Sequence, residues 1–492
     1  MLMNNLARLL AMPKDHPQGW LVGLFAAVTL VSILAGIYLE AWWLALAPAA
    51  LLVVWLTLVD LQKAFFLMMG TIPLSMEQAL PGGFATDLPS EQFMWILTMA
   101  GIGWFLIHWR QVDARFLRHP ITLALLAHLA WIVVTMAASG DFVVSFKYTL
   151  AKGWYFIVFY FLGSRFLNNE RDFKQLLWWF FVPLMYAMTT VVVRHAAKSF
   201  AFEDVGFVMW PHFRNHVMYA CLLAIFLPFV WYGTYWYQRF SWKWWCLVLG
   251  ILYLLFAINV AYTRAAYVAL LAAAGIYWAL RLRVLKAALV AAVLGFALLY
   301  SFLGTRDNWL LFAPDYEKTI THKSFDNLLE ATTKLEDIST MERVYRWVAA
   351  TYMIREKPWT GFGPGTFYSN YKNYTVSKFK TYVSDNPEHS GIHNYYLMVT
   401  VEQGIPGLVF YLLFCVVVLL KGEDIFHRTL DKSRRRTLVA AILCFSLTNL
   451  LMLMNDFVET DKIGSLFILS VAIIVNIDLK NKDLVPHTAN TL

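Results

Sequence analysis

Long apolar runs broken by short polar stretches recur along most of the chain, and about 20 such residues are what a helix needs to cross the hydrocarbon core of a bilayer. In order, the runs lie near residues 20–38, 42–60, 64–80, 92–109, 120–138, 146–166 and 175–193. Seven more follow near 216–236, 243–262, 265–280, 286–303, 394–420, 437–455 and 463–478. Ile72-Pro73 interrupts the third, and Lys147 and Lys152 enter the sixth, so the pattern predicts an all-α, polytopic membrane bundle of about 12–14 spans. The stretch from Trp244 to Leu280 carries a single charge, Arg264. At about 1.5 Å per residue it is too long for one upright crossing, so it must fold back at Tyr262-Thr263-Arg264.

The one long polar interruption divides the chain into transmembrane helices over 1–303, a mainly helical loop domain over 304–392 and further transmembrane helices over 393–492. Within the loop, Phe325, Leu328, Leu329, Thr332, Leu335 and Ile338 recur at steps of three and four, the period of an amphipathic helix. Ser339-Thr340-Met341-Glu342 fits a capping box for a second helix, with Met341, Val344, Tyr345, Val348 and Tyr352 on its apolar face and an end at Lys357-Pro358. A glycine turn, Gly361-Phe362-Gly363-Pro364-Gly365, and a Tyr- and Lys-rich stretch to Tyr382 follow. The turn follows no strand and lacks the lysine of a nucleotide-binding phosphate loop.

Composition agrees: 60% of residues are hydrophobic and 15% charged, which excludes a large soluble protein. The net charge of +8 does not point to nucleic acid, because Lys and Arg cluster between apolar runs, as in Arg110/Arg115/Arg118, Arg281/Arg283/Lys286 and Arg434/Arg435/Arg436. These clusters place the N-terminus in the cytoplasm and the 304–392 segment, with its 11 basic and 11 acidic residues, outside. Arg8 and Lys14 precede the first run without a small-residue cleavage site after it, which reads as an uncleaved span. Cys221, Cys246, Cys415 and Cys444 all lie inside apolar runs and read as small hydrophobes.

His393 stands where the polar segment meets the next apolar run, within reach of water, a soluble substrate and lipid headgroups. A solvated turn histidine is the plain alternative. Arg264 falls on the same side as His393 by the charge rule, and an arginine at that depth tends to be paired or to grip an anion such as a lipid-linked pyrophosphate. Arg343 and Arg346, three apart on a helix, can present a second cationic pair. Arg214 joins Arg194 and Lys198 in another outer basic loop, whose His195, His212 and His216 lack the accompanying ligands of a typical metal site. Gly404-Ile405-Pro406-Gly407 is expected to break the helix one to two turns below His393, Asn394 to orient its neighbours, and Asp456 to hold the His393 tautomer.

His393-Asn394, nine residues, Gly404, two residues and Gly407 resemble the motif of the O-antigen ligase and O-antigen polymerase superfamily of bacterial envelope glycosyltransferases. The resemblance takes in Thr263-Arg264, Glu342-Arg343, Trp347, Pro358, the glycine turn and Phe367, and so covers roughly residues 255–420. It implies an inner-membrane enzyme that transfers a glycan from undecaprenyl-pyrophosphate to an acceptor hydroxyl on lipid A-core or a similar molecule, at the periplasmic face. Neither metal nor cofactor is implied. His393 would be the general base, Arg264, Arg343, Arg346 and Arg214 the pyrophosphate ligands, and Asn394, Gly404, Gly407 and Asp456 the supporting residues. A polymerase of lipid-linked repeat units and a protein O-glycan ligase carry similar segments. A secondary transporter or lipid flippase is the alternative of another class, and the chain lacks the paired, interrupted repeats that such folds favour.

Overall fold

The computed structural model describes residues 19–40, 42–80, 84–304, 338–376 and 391–483. It is an all-α polytopic bundle. The first helices are α1 (Gly19–Tyr38), α2 (Ala47–Val59) and α3 (Leu61–Thr71). After α3 the chain passes through Ile72–Leu74 into a hairpin of β1 (Met76–Leu80) and β2 (Phe84–Leu88), paired antiparallel with Met76 opposite Leu88. The run near 64–80 therefore stops at its proline, whose ring and missing N–H end α3 before it can span.

Next come α4 (Ser90–His108), α5 (Pro120–Ala137) and α6 (Phe142–Tyr155), the last continued by a wide π-helical segment, Phe156–Leu162. The bundle goes on through α7 (Glu170–Ala196), α8 (His216–Gly233), α9 (Trp242–Val260), α10 (Arg264–Leu282) and α11 (Leu285–Gly304). Beyond the polar segment's α12 (Ile338–Glu356) lie α13 (Tyr395–Arg428), α14 (Lys432–Leu451) and α15 (Asp461–Asp483). Apart from the end of the run near 64–80, which forms β1, the sequence runs fall on helical structure. Seven of the described helices, α5, α7, α8, α9, α10, α13 and α15, are long and apolar enough to cross a membrane. Four shorter apolar stretches, Phe25–Tyr38, Leu44–Val59, Leu61–Leu74 and Leu285–Leu299, accompany them.

Polar contacts define two ends. At one, His119 at the start of α5 meets Asp478 of α15 at 3.2 Å, Arg428 of α13 reaches the same carboxylate at 3.2 Å, and Arg115 pairs with Asp483. The His427 ring contacts the Leu280 carbonyl at 2.9 Å, and the basic segments ending α10 and opening α14 gather here. The opposite end carries the β-hairpin, α12, the 197–215 loop and the α9–α10 turn. That turn is the fold-back anticipated at Arg264: Tyr262 takes φ 49°, its hydroxyl donates to the Phe200 carbonyl at 2.8 Å, and Thr263 donates to the His216 carbonyl at 3.4 Å.

One expectation for the polar segment changes, and another falls outside the described residues. The amphipathic helix placed over 325–338 lies almost wholly outside the described residues. The second helix already includes Ile338, so Ser339 sits within it instead of capping it, and Glu342 turns its carboxylate to Arg346.

Candidate active site

His393 is the hinge between an extended segment and α13. It adopts φ 55°, a left-handed conformation uncommon for a side chain of this size and one that clusters at functional sites. Asn394, the next residue, is the N-cap: its side chain accepts from the Leu397 N–H at 3.0 Å, which fixes where α13 begins. The Tyr395 N–H donates to the carbonyls of Met452 at 3.0 Å and Asn455 at 3.2 Å, so the end of α14 holds the other side of the junction. His393 is half-buried, and among the described residues its buried Nδ1 has no hydrogen-bond partner.

α12 grips the segment before His393. Arg346, 5% exposed, donates to the Gly391 carbonyl at 3.0 Å and pairs with the buried Glu342 at 3.3 Å, while the Trp347 indole donates to the Ile392 carbonyl at 3.1 Å. Arg346 is thereby engaged by backbone and carboxylate. Arg343, one helical turn earlier, sits near enough for its charge to act on both His393 and Cys221 of α8. Arg214, exposed just before α8, acts on His393 and Asp456.

Asp456 packs directly against Gly391, where a β-carbon would collide with its carboxylate. Burial raises its pKa above the usual carboxylate value, its own backbone N–H and the charges of Arg214 and Arg346 oppose that, and Glu459 adds to it. Burial lowers His393 from 6.5 to about 3, and the guanidinium groups of Arg343, Arg346 and Arg214 reinforce it in that order. The imidazole is therefore neutral throughout the physiological range. Sequence reasoning chose Asp456 only for its sign and side. The structure brings it to the residue two before His393. Arg264 opens α10 at the same end of the bundle, tied through Thr263 to His216, two residues past Arg214.

The motif glycines lie further down α13. Gly404 takes φ 72° and ψ 178° and breaks the helix nine residues after its start, two and a half turns along and deeper than the one to two turns expected. Gly404 and Pro406 deprive three carbonyls of their ordinary helical partners, and a bundle interior must satisfy them. The Phe362 N–H donates to Val401 at 3.0 Å, the Gly363 N–H to Glu402 at 2.9 Å and the Trp131 indole of α5 to Gln403 at 2.8 Å. Conversely, the Ile405 N–H donates to the Pro358 carbonyl at 2.8 Å. The glycine turn is therefore a backbone patch over a broken helix. Gly361, at φ 66°, lies so close to Val401–Gln403 that a β-carbon would strike their backbone. Gly407 leaves room for the Gln403 side chain, whose Cβ would lie 2.4 Å from a β-carbon there.

Sequence reading missed three participants. Glu402, 2% exposed, sits inside the nine-residue gap of the motif and accepts from the N–H groups of Gly365 at 2.9 Å and Phe367 at 3.1 Å. A lone carboxylate in an apolar run was the available signal. Lys152 and Tyr148 of α6 both donate to Glu459, at 2.7 and 2.9 Å, which anchors the loop bearing Asp456. Lys152 was read only as a blemish on a span. His195, His212 and His216 do not come together as a metal-ligating group among the described residues, where Asp87, Glu91 and Asp461 are the acids that approach one another.

A polytopic helical membrane protein with a neutral histidine and an arginine cluster at one end is the class that fold and site define. Residues 249–412, one third of the chain, match the family described as O-Antigen ligase, which supports a relationship to the O-antigen ligase superfamily over this stretch. The matched stretch contains Arg264, Arg343, Arg346, His393, Gly404 and Gly407, while Arg214 and Asp456 join the site from outside it. The family implies glycosyl transfer of ligase or polymerase type, with a lipid-linked glycan donor and a glycan acceptor in general. No curated protein matches the sequence.

Proposed function

We propose that the protein is an O-antigen ligase-type glycosyltransferase of the bacterial inner membrane. In this reading it moves a glycan from undecaprenyl-pyrophosphate to an acceptor hydroxyl on lipid A-core or a similar molecule. The observation that carries the reading is a neutral, strained His393 whose surroundings combine three arginines with one carboxylate. As the acceptor oxygen attacks the anomeric carbon, His393 takes its proton, a step typically worth roughly 10²- to 10⁴-fold. The bond from the anomeric carbon to the pyrophosphate breaks, and Arg343 with Arg214 and Arg264 stabilises the charge left on the departing phosphate. Arg264 begins a helix, and the N–H groups there add to the attraction for an anion. Positive charge from arginine takes the place that a divalent ion fills in many sugar transferases. Asp456 and Arg346 hold the junction from which His393 projects. The catalytic end faces the periplasm, since the basic clusters lie at the other end.

The test is surface polysaccharide and the lipid-linked pool from a strain lacking this protein, complemented with wild type or His393→Ala. Long polymer retained on the carrier and missing from its acceptor marks a ligase. Single repeat units on the carrier mark a polymerase, the second reading that the family allows. No change in either pool overturns both.

A further inference from the structure

α12 is fastened to the α13 region at two places. At its middle, Arg346 and Trp347 hold the carbonyls of Gly391 and Ile392. Past its end, residues 358–367 are laid along the break at 401–405. Only the second fastening passes through a side chain of α13. The Glu402 carboxyl places one oxygen on the Gly365 N–H and the other on the Phe367 N–H, so it spans the exit of the glycine turn. On the turn's other flank, the Ser145 hydroxyl of α6 donates to the Pro364 carbonyl at 2.9 Å. Phe367 then stacks on the fully buried Tyr371, with ring centres 5.1 Å apart, and Tyr374 returns to Glu356 at the end of α12 at 2.7 Å. Anything that frees the turn therefore frees the far end of α12, the helix whose first half carries Arg343 and Arg346.

We infer that Glu402 is a positioning residue: it touches no reacting atom, and by locking the glycine turn to the broken helix it sets where the arginines of α12 stand relative to His393. This inference rests on the glycosyltransferase reading for its effect on turnover, but its geometric content is independent of that reading. The side-chain length matters as much as the polarity. Glutamine keeps the reach but presents an N–H₂ to one of the two N–H groups, so one bond is lost and two donors face each other. Aspartate, one methylene shorter, cannot span both.

The experiment uses the full chain in nanodiscs, as wild type, Glu402→Gln and Ser145→Ala. Three quantities are read: melting temperature, kcat for glycan transfer, and the rate at which diethyl pyrocarbonate labels His393 at pH 7, relative to half-buried His212 in the same molecule. The expected result is a folded Glu402→Gln protein with kcat lower by about 10- to 100-fold, the usual consequence of displacing reacting groups by about 1 Å. His393 in that variant is labelled several-fold faster while His212 is unchanged, and Ser145→Ala shifts both readouts in the same direction by less. Wild-type kcat and wild-type labelling in Glu402→Gln overturn the inference. A lower kcat with unchanged His393 labelling also overturns it, because α12 then has not moved. If the wild type transfers no glycan yet the labelling responds as described, the glycosyltransferase reading fails while the positioning role of Glu402 stands.

Discussion

A base with a pKa near 3 accepts a proton poorly, and an anion bound beside the arginines that depress it should raise that value. Holding the imidazole down from 6.5 to about 3 opposes its protonation by about 5 kcal/mol, as an order of magnitude. Burial is the largest cause, and Arg343, Arg346 and Arg214 supply the rest. At an effective dielectric near 20 and with salt screening, each such unit charge contributes on the order of 1 kcal/mol or less, so the three arginines together account for up to about half. An anion carrying two or more charges, seated among them, offsets that share and raises the His393 pKa by about two units toward the range where a general base works best. The perturbation is therefore inorganic pyrophosphate, and the assay is the pH dependence of His393 labelling by diethyl pyrocarbonate, which reacts with neutral imidazole. Without pyrophosphate the rate should be flat from pH 8 to 5. With it, the rate should fall as pH drops through about 5, and Arg343→Gln should weaken this response. A midpoint near 6.5 in the empty protein refutes the electrostatic account. A uniformly slower, still flat profile with pyrophosphate refutes the coupling and leaves simple occlusion.

Acid stability carries the same sign. A histidine neutral when folded but able to protonate when unfolded costs stability as pH falls below 6.5, about 1–2 kcal/mol by pH 5, so His393→Gln should flatten that part of a melting-temperature profile. Arg346→Ala strands the buried Glu342 and releases Gly391, and is expected to destabilise by about 3 kcal/mol in chemical denaturation. Arg343→Ala should raise KM for the lipid-linked donor, read from steady-state transfer kinetics. Gly404→Ala forces a β-carbon onto the Trp359 carbonyl at φ 72°, and should cost about 2–4 kcal/mol or abolish detergent-stable protein, measured by size-exclusion yield.

The helices were legible because the bilayer imposes one rule, about 20 apolar residues per crossing, and even the weak third run announced its failure through Pro73. The fold-back at Tyr262–Arg264 followed from length alone. His393, Asn394 and Gly404 were legible because a motif fixes their spacing, and Asp456 because a charge rule fixes its side. What spacing does not encode is partnership across the chain. Nothing local says that Glu342 belongs to Arg346 and not to a helix cap, or that Arg346 faces the Gly391 carbonyl. The three carbonyls freed at the α13 break find partners as distant in sequence as Trp131, and no periodicity points there. Glu402 was hidden for the opposite reason, since the motif counts its position only as a gap.

α15 has 89% of its apolar window inside the bundle, more than any other candidate span, although it follows all of them in the chain. Its neighbours include the π-helical segment 156–162, α14 and the Asp456 loop. During synthesis those partners emerge first and must wait in the bilayer with an open slot lined by aromatic side chains. Assembly of this protein is therefore a closing event: the turn that follows Asp456 acquires its fixed seat only when the last described helix packs into the middle of the others.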